Sequence, residues 1–393
     1  MAEIKSSPVG SHEVAIAQLS WSAAGRGQPT HTRVITPGGW RSLGDIRAGD
    51  YVFNAQGLPT RVSAVVERGL VEALSVSFGD GTVVQCTAGQ PWRIQSPDRR
   101  SRGRPPRFLC IEAIARSLRG AHGESRHYVI APKPLAIEGR EFQVQPYLLG
   151  ALIGDGGMSK KQVYFATADS EMITRIRPLL PSGVFLRQRT GYWWHLAAAG
   201  PGRRNPLIGA LRDLGLQGHR AEAKFIPEPY LFSSKSQRTA LLQGLMDTDG
   251  SASTTKPPVF STVSLRLVID VSELVRSLGG VVHAHWGVGN VFPICTLSMR
   301  LADDVLPFAL TRKADRYVDK MRRPLRMARP IRRVDSLGLL PCRALITEGS
   351  DHTYLTDHFT VMVDAHSGGE CGQSKYKQTM GSCVHVVRRT PHA

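Results

Sequence analysis

Residues 242–250 read Leu-Gln-Gly-Leu-Met-Asp-Thr-Asp-Gly, and residues 148–156 read Leu-Leu-Gly-Ala-Leu-Ile-Gly-Asp-Gly. Each is an apolar run studded with small residues that ends in an acid and a glycine. Aligned, their terminal acids are Asp155 and Asp249. A carboxylate at the tip of an apolar helix needs a partner, water or a metal, because burying it unpaired is costly. Small residues at Gly150, Ala151 and Gly244 allow close helix approach. The pair therefore predicts two helices packed side by side, with both acids at one end. The plainer alternative is two core helices with capping aspartates.

The sequence downstream repeats as well. Each acid is followed by a lysine-bearing loop (Lys160 and Lys161; Lys256), a short strand, and a helix. Phe165 lies ten residues past its acid and Phe260 eleven past its own, and Thr167 corresponds to Thr262. Such a repeat predicts a duplicated α/β unit with a pseudo-two-fold axis. Residues 183–197 and 281–297 read as strands, with Arg187, Arg189, His283 and His285 among Tyr192, Trp193, Trp194 and Trp286. Basic residues among aromatics suit phosphate and base contacts. The tryptophans read as packing residues.

Two carboxylates brought together repel, and a divalent cation relieves that repulsion. Two-metal sites clamp the attacking and leaving oxygens of a phosphodiester. Oxygen ligands favour magnesium, with two or three ions between the acids. The 393 residues carry a formal charge of +18, mostly arginine, which points to a polyanionic partner such as nucleic acid. Hydrophobic residues make up 41%, enough for two or three cores. No apolar run approaches the ~20 residues of a membrane helix, and no signal peptide is evident. Six scattered cysteines fit a reducing, cytoplasmic setting. Cys371, Cys383 and His385 lack paired zinc-ligand spacing.

On either side of this unit the texture changes to short strands and turns. Residues 61–67, 73–78 and 82–86 alternate as strands about a Gly79-Asp80-Gly81 turn. Residues 96–107 read as an exposed Pro/Arg loop. Residues 332–335, 342–347, 353–355 and 359–363 read as separate strands. The C-terminal strands are too few to form a sheet alone, so one β-module interrupted by an insertion is the economical reading.

The paired motifs resemble those of the LAGLIDADG homing endonucleases in their two-motif, single-chain form. The resemblance implies a monomer with internal pseudo-two-fold symmetry that cleaves a long, nearly asymmetric site in double-stranded DNA. It implies Asp155 and Asp249 as metal ligands, Lys224 as a supporting catalytic lysine, and Lys313 as the weaker equivalent in the second half. Arg187, Arg189, His283, His285, Lys160, Lys161 and Lys256 become candidate DNA contacts. The flanking segments resemble a Hint (intein) splicing domain. The resemblance rests on Thr36-Pro37-Gly38-Gly39-Trp40, Gly44-Asp45-Ile46, residues 87–92, and residues 350–361 with His352.

Together the two resemblances imply an α+β chain, in which an all-β Hint domain is split by an inserted pseudo-two-fold α/β domain. The expected division is residues 27–133 and 329–367 for the Hint parts and 134–328 for the endonuclease, with flanks at 1–26 and 368–393. The splicing groups depart from the family pattern. Gly27 stands where the family has a Cys or Ser nucleophile. The Thr-x-x-His block reads Thr87-Ala88-Gly89-Gln90, and Ala365-His366-Ser367 replaces the terminal His-Asn before Ser. Three departures at both ends imply a splicing fold without standard splicing. Two alternatives stay open: splicing through non-standard residues beside a decayed nuclease, and a DNA-binding module that does not cut.

Overall fold

The computed structural model describes residues 25–200, 203–289, 291–321 and 327–365. The chain begins as β1 (Gln28–Pro29), β2 (Arg33–Thr36), β3 (Gly39–Ser42), β4 (Tyr51–Phe53), β5 (Pro59–Phe78), β6 (Val83–Thr87) and β7 (Pro91–Gln95). Then come α1 (Pro97–Ser101), β8 (Arg107–Cys110), α2 (Ile111–Ala115) and β9 (Tyr128–Ile130). The residues expected to be a plain loop at 96–107 therefore contain a helical turn. Ser96 caps it by accepting from the Arg99 amide, and Pro97 supplies a preset first-turn φ.

The first α/β unit is α3 (Pro146–Asp155), β10 (Gly156–Met158), β11 (Val163–Ala166), α4 (Ser170–Ile176), β12 (Val184–Gln188) and β13 (Trp193–Ala198). Helices α5 (Pro206–Asp213) and α6 (Glu228–Leu231) lead to the second unit. That unit is α7 (Lys235–Asp249), β14 (Gly250–Ser251), β15 (Val259–Thr262), α8 (Leu265–Ser277), β16 (Val281–Gly287), β17 (Ile294–Arg300) and α9 (Thr311–Met321). The two sheets have matching strand orders, β10-β11-β13-β12 and β14-β15-β17-β16. Their registers match too: Gly156 pairs with Phe165 and Gly250 with Phe260. Thr167 and Thr262 each accept, through the hydroxyl, from the amide two residues on. The repeat is thus a structural duplication at residue level.

The remaining strands, β18 (Ala328–Thr347), β19 (Thr353–Thr356) and β20 (Thr360–Val363), return to the first ones. β18 pairs with β5, β9 and β1, and β19 with β2, so the two flanking segments build one β-body. The short strands expected at 61–67 and 73–78, and at 332–335 and 342–347, are continuous as β5 and β18. Gly69 and Gly338 lie between the expected segments. Both take positive φ, at +67° and +78°, beside register shifts, so the ladder bends there and continues. The architecture is α+β: a split all-β body with a duplicated α/β unit inserted between its halves.

Apolar burial ties the parts together. The large core surrounds α3, α7 and α8, and it takes in Ile35, Phe53, Leu355 and Phe359 from the β-body. Trp40 packs edge-on against Phe359 and donates through its indole N–H to Glu273 on α8. Buried Asp80, at the β5–β6 turn, sits 3.6 Å from Arg276 of α8 and 3.7 Å from Arg329 of β18. Burial pushes the Asp80 carboxyl up, but Arg329, the Thr82 hydroxyl and Arg276 together hold it below the usual carboxylate range.

The crossing of α3 and α7 admits no side chain at its centre. A Cβ on Gly150 would lie 2.2 Å from the Leu241 carbonyl oxygen, and one on Gly244 would lie 2.2 Å from that of Tyr147. Gly209 in α5 has nothing within 4 Å of its would-be Cβ. Gly244→Ala should therefore destabilise the protein by about 3 kcal/mol in denaturant melts, since helix backbones must separate. Gly209→Ala should be stabilising by about 0.5–1 kcal/mol, because it removes a helical glycine without a clash.

Candidate active site

Helix α3 is buried from Pro146 to Ile153, and α7 buries Leu241, Leu242, Leu245 and Met246 beside it. The acids Asp155 and Asp249 are the last helical residues, both exposed at the same end of the crossing. Each is followed by a glycine in extended conformation whose N–H caps the helix, Gly156 onto Leu152 and Gly250 onto Met246. A Cβ there would lie 2.5 Å and 2.4 Å from those carbonyl oxygens, so close approach to the preceding turn explains both glycines.

Two helix C-termini meeting at one place concentrate negative potential, and the acids add to it. Two lysines answer it symmetrically. Lys224, 6% exposed, donates to the carbonyls of Leu152 (3.3 Å) and Gly154 (2.8 Å). Lys313, 7% exposed, donates to the carbonyls of Met246, Asp247 and Gly250 at 2.9, 2.9 and 2.7 Å. Each lysine thus holds the last turn of one motif helix. Lys313, the weaker sequence candidate, is placed as Lys224 is.

The electrostatics bind these groups into one cluster. Burial lowers the Lys224 pKa, against the opposing pull of Asp249 and Asp155. Burial takes Lys313 down to about 8, with Asp247 and Asp249 opposing and Arg312 assisting. Asp155 is raised by burial, with Lys224 pulling the other way. Asp249 reaches solvent on one side and is crowded by protein on the other. That crowding, then the charge of Asp155, raises it to about 6 despite Lys224 and Lys313.

Sequence reasoning passed over Asp247, which is buried (3% exposed). It accepts from the Tyr147 hydroxyl at 2.8 Å and from the amides of Ala309 and Leu310, tying α7 to α3 and to the start of α9. The first motif has Ile153 at the equivalent position, so this anchor serves the second half alone. A second acid two residues before Asp249 was the available signal.

The candidate DNA-contact residues divide between two sheets. Arg187 on β12 pairs in register with His195 on β13, which pairs with Tyr164 on β11. Tyr164 stacks on His195 and meets Trp193 edge-on. Lys161, Arg187, Arg189, His195 and Arg203 border a cavity of about 330 Å³. Trp193 and Trp286 are exposed, 47% and 55%, so of the three strand tryptophans only Trp194 packs on the core. His285 is exposed, whereas His283 is half-buried against the backbone of Gly79, where burial lowers its pKa and Asp80 opposes. Lys160 and Lys256 are exposed in loops that follow the motif acids.

The splicing positions also converge. The Gly27 amide donates to Gln90 Oε1 at 3.0 Å, while Gln90 Nε2 donates to the Val363 carbonyl at 2.8 Å. The Thr87 hydroxyl donates to the carbonyls of Gly25 (2.5 Å) and Gly27 (3.2 Å). Arg26 Nη1 donates to the Asp364 carbonyl at 3.3 Å, joining the two ends of the β-body. Asp364 accepts from the amide and hydroxyl of Thr347 and lies 3.5 Å from His352 Nδ1. The Ala365 amide donates to Leu345. His366, Ser367, Cys371, Cys383 and His385 lie outside the described residues.

Stability should report the strain at Asp249. Its folded pKa is raised, so between about 4 and about 6 the folded state holds a proton the unfolded chain has released. Stability from this group is therefore lost as pH rises through that window. In EDTA, Asp249→Asn should melt higher than the parent at pH 7, and the gain should vanish at pH 3.5.

No protein-family profile matches the chain. A replicative DNA helicase DnaB from Mycobacterium intracellulare is 33% identical over 272 residues, 65% of this chain and 43% of that protein. A DnaB helicase from Rhodothermus marinus is 34% identical over 150 residues, 34% of this chain and 16% of that protein. The chain thus spans less than half the length of these relatives. Among solved structures, the homing endonuclease I-DmoI in complex with DNA and Mn is similar at 15% identity, covering 47% of this chain and 98% of that one, with a TM-score of 0.30. No helix among the described residues is long and apolar enough to cross a membrane. With its two acid-tipped motif helices, duplicated sheets and split β-body, the chain has the α+β architecture that its resemblance to an intein-type Hint domain with an inserted two-motif LAGLIDADG unit implies.

Proposed function

We propose that this chain is a site-specific, double-strand DNA endonuclease embedded in a Hint domain that no longer splices. The observation that carries the reading is the pair of acid-tipped helix C-termini at one crossing, each held by its own buried lysine. Residues 134–328 form the nuclease, 27–133 and 329–367 the Hint parts, and 1–26 and 368–393 the flanks. The internal duplication supplies both half-sites, so the active species is a monomer on a long, nearly asymmetric duplex.

Among the described residues no group of three or more His, Cys, Asp or Glu forms a ready-made cage. Asp155 and Asp249 suit magnesium, which keeps several waters and takes one or two carboxylates together with substrate phosphate oxygens. Bound there, magnesium supplies a Lewis acid for the attacking and leaving oxygens. The residues of the chain do the rest. Asp155 and Asp249 place two negative charges where a cation and a phosphodiester must meet. Lys224 and Lys313 fix the helix ends that carry those acids, and their positive charge faces the developing charge on phosphate. The basic strand faces and loops orient the duplex through phosphate contacts.

Splicing lacks its groups. Gly27 has no nucleophile. The Gln90 carboxamide accepts the Gly27 N–H through its oxygen, so it holds the peptide in its ground state and carries no acidic proton for the leaving amide.

On DNA containing the rejoined flanks, the parent protein with magnesium should make a double-strand break. Asp155→Asn and Asp249→Asn should each slow cleavage by about a hundredfold or more, with gel-shift affinity kept within a few-fold. Absence of cleavage by the parent protein contradicts the reading. The expressed chain should also retain its full 43.0 kDa mass over hours of incubation. Spliced flanks or a released centre in the mass spectrum would contradict the loss of splicing.

A further inference from the structure

Helices α4 and α8 begin at corresponding positions of the two units. The hydroxyls of Thr167 and Thr262 accept from the amides of Asp169 and Ser264, and these two residues are the N-caps. Asp169 accepts from the Glu171 amide at 3.0 Å, and Ser264 from the Leu267 amide at 3.1 Å. Capping needs no more than that. Each residue nevertheless makes a second polar contact, and in both units it runs to the segment that carries a buried lysine.

These second contacts cross between the units. Lys224 follows the first unit in the chain, and its ammonium holds the last turn of α3. Its own carbonyl is held from the second unit, by the Ser264 hydroxyl at 2.6 Å. Two residues on, the Ile226 amide donates to buried Asp270 of α8 at 2.8 Å. Lys313 follows the second unit and holds the last turn of α7. The residues just before it are held from the first unit. Arg312 Nε donates to Asp169 at 2.8 Å, and Thr311 donates to Glu171 through its amide at 3.0 Å and its hydroxyl at 2.9 Å. Asp247 adds a hold on the start of α9 from α7 itself. Each lysine thus depends on a helix start in the opposite unit.

Stability alone does not account for this arrangement. Arg312 is 55% exposed, and an ion pair so open to water contributes little to folding. Placement is a stronger reason. Lysine carries a point charge on a long flexible stem, so its ammonium is set only as well as its backbone. A misplacement of about 1 Å in a reacting site can cost about a hundredfold in rate.

We propose that Asp169 with Glu171, and Ser264, are positioning residues that act crosswise. Helix α4 of the first unit sets Lys313 at the α7 tip, and α8 of the second unit sets Lys224 at the α3 tip. Cutting of each DNA strand therefore depends on the opposite unit. This rests on the reading of the chain as a nuclease that cuts both strands.

The test uses the full chain with magnesium on a rejoined-flank duplex carrying a different dye on each strand, so that the two cuts are timed separately. Lys224→Met and Lys313→Met identify the strand that each lysine serves. Asp169→Asn/Glu171→Gln keeps a capping side chain on α4 and should slow the Lys313 strand by about tenfold. Nicked duplex should accumulate, with the other strand cut at the parental rate. Ser264→Ala should slow the Lys224 strand by a similar factor, and Ser264→Thr, which keeps the hydroxyl, should restore it. A second readout involves no DNA. Acetic anhydride labelling followed by mass spectrometry should find Lys313 acetylated several-fold faster in the Asp169→Asn/Glu171→Gln variant, and Lys224 faster in Ser264→Ala. Slowing of both strands alike, slowing of the opposite strand, or unchanged rates and labelling overturn the crossed positioning and leave the nuclease reading intact. Absence of cleavage by the parent protein overturns the nuclease reading and the role in cutting together.

Discussion

Backbone contact between α3 and α7 is the constraint from which the rest follows. Gly150 faces the Leu241 carbonyl and Gly244 that of Tyr147, at distances no Cβ can share. Because the helices cross there, their C-termini open at one place and carry Asp155 and Asp249 with them. Helix dipoles and carboxylates of like sign then accumulate. The fold meets this with two buried lysines on the last-turn carbonyls, which anchor the ends and leave the acids themselves open to solvent. A site built this way concentrates negative potential at one place and is held rigidly, because it is carried by helices set in the larger core.

The inserted unit is not hung on the β-body by a tether. Ile35, Phe53 and Phe359 enter its core, Trp40 bonds Glu273, and Asp80 lies between Arg276 and Arg329. Removing one partner of such a buried ionic group is more damaging than its net contribution suggests, since the others remain buried and uncompensated. The β-body therefore has a structural role whatever its own chemistry: it completes the core of the inserted unit and is tied to helix α8 of the second half. Thr87, the Gln90 network and the Arg26–Asp364 contact join the two ends of the β-body.

Much of this was legible in the sequence, for identifiable reasons. The two motifs end in the same acid-glycine pair, and Phe165 and Phe260 follow at nearly equal spacing. A duplicated unit could therefore be read before any coordinate, and the paired registers match it. The single β5 and β18 ladders were not legible. The expected strands stop short of Gly69 and Gly338, where a bulged strand uses positive φ to bend without ending. The role of Asp247 was hidden because its partners, Tyr147, Ala309 and Leu310, are remote in sequence. The position of His283 was hidden likewise, because alternation marks a strand face but not the Gly79 turn that covers it.

The central claim is that Asp155 and Asp249 share one divalent-ion site. Ferrous ion substituted for magnesium, with ascorbate and peroxide, generates radicals that cut the polypeptide beside the bound metal, and mass spectrometry locates the cuts. The account predicts cuts adjacent to both Asp155 and Asp249, suppressed by excess magnesium. Cuts beside only one acid, or at neither, would contradict it.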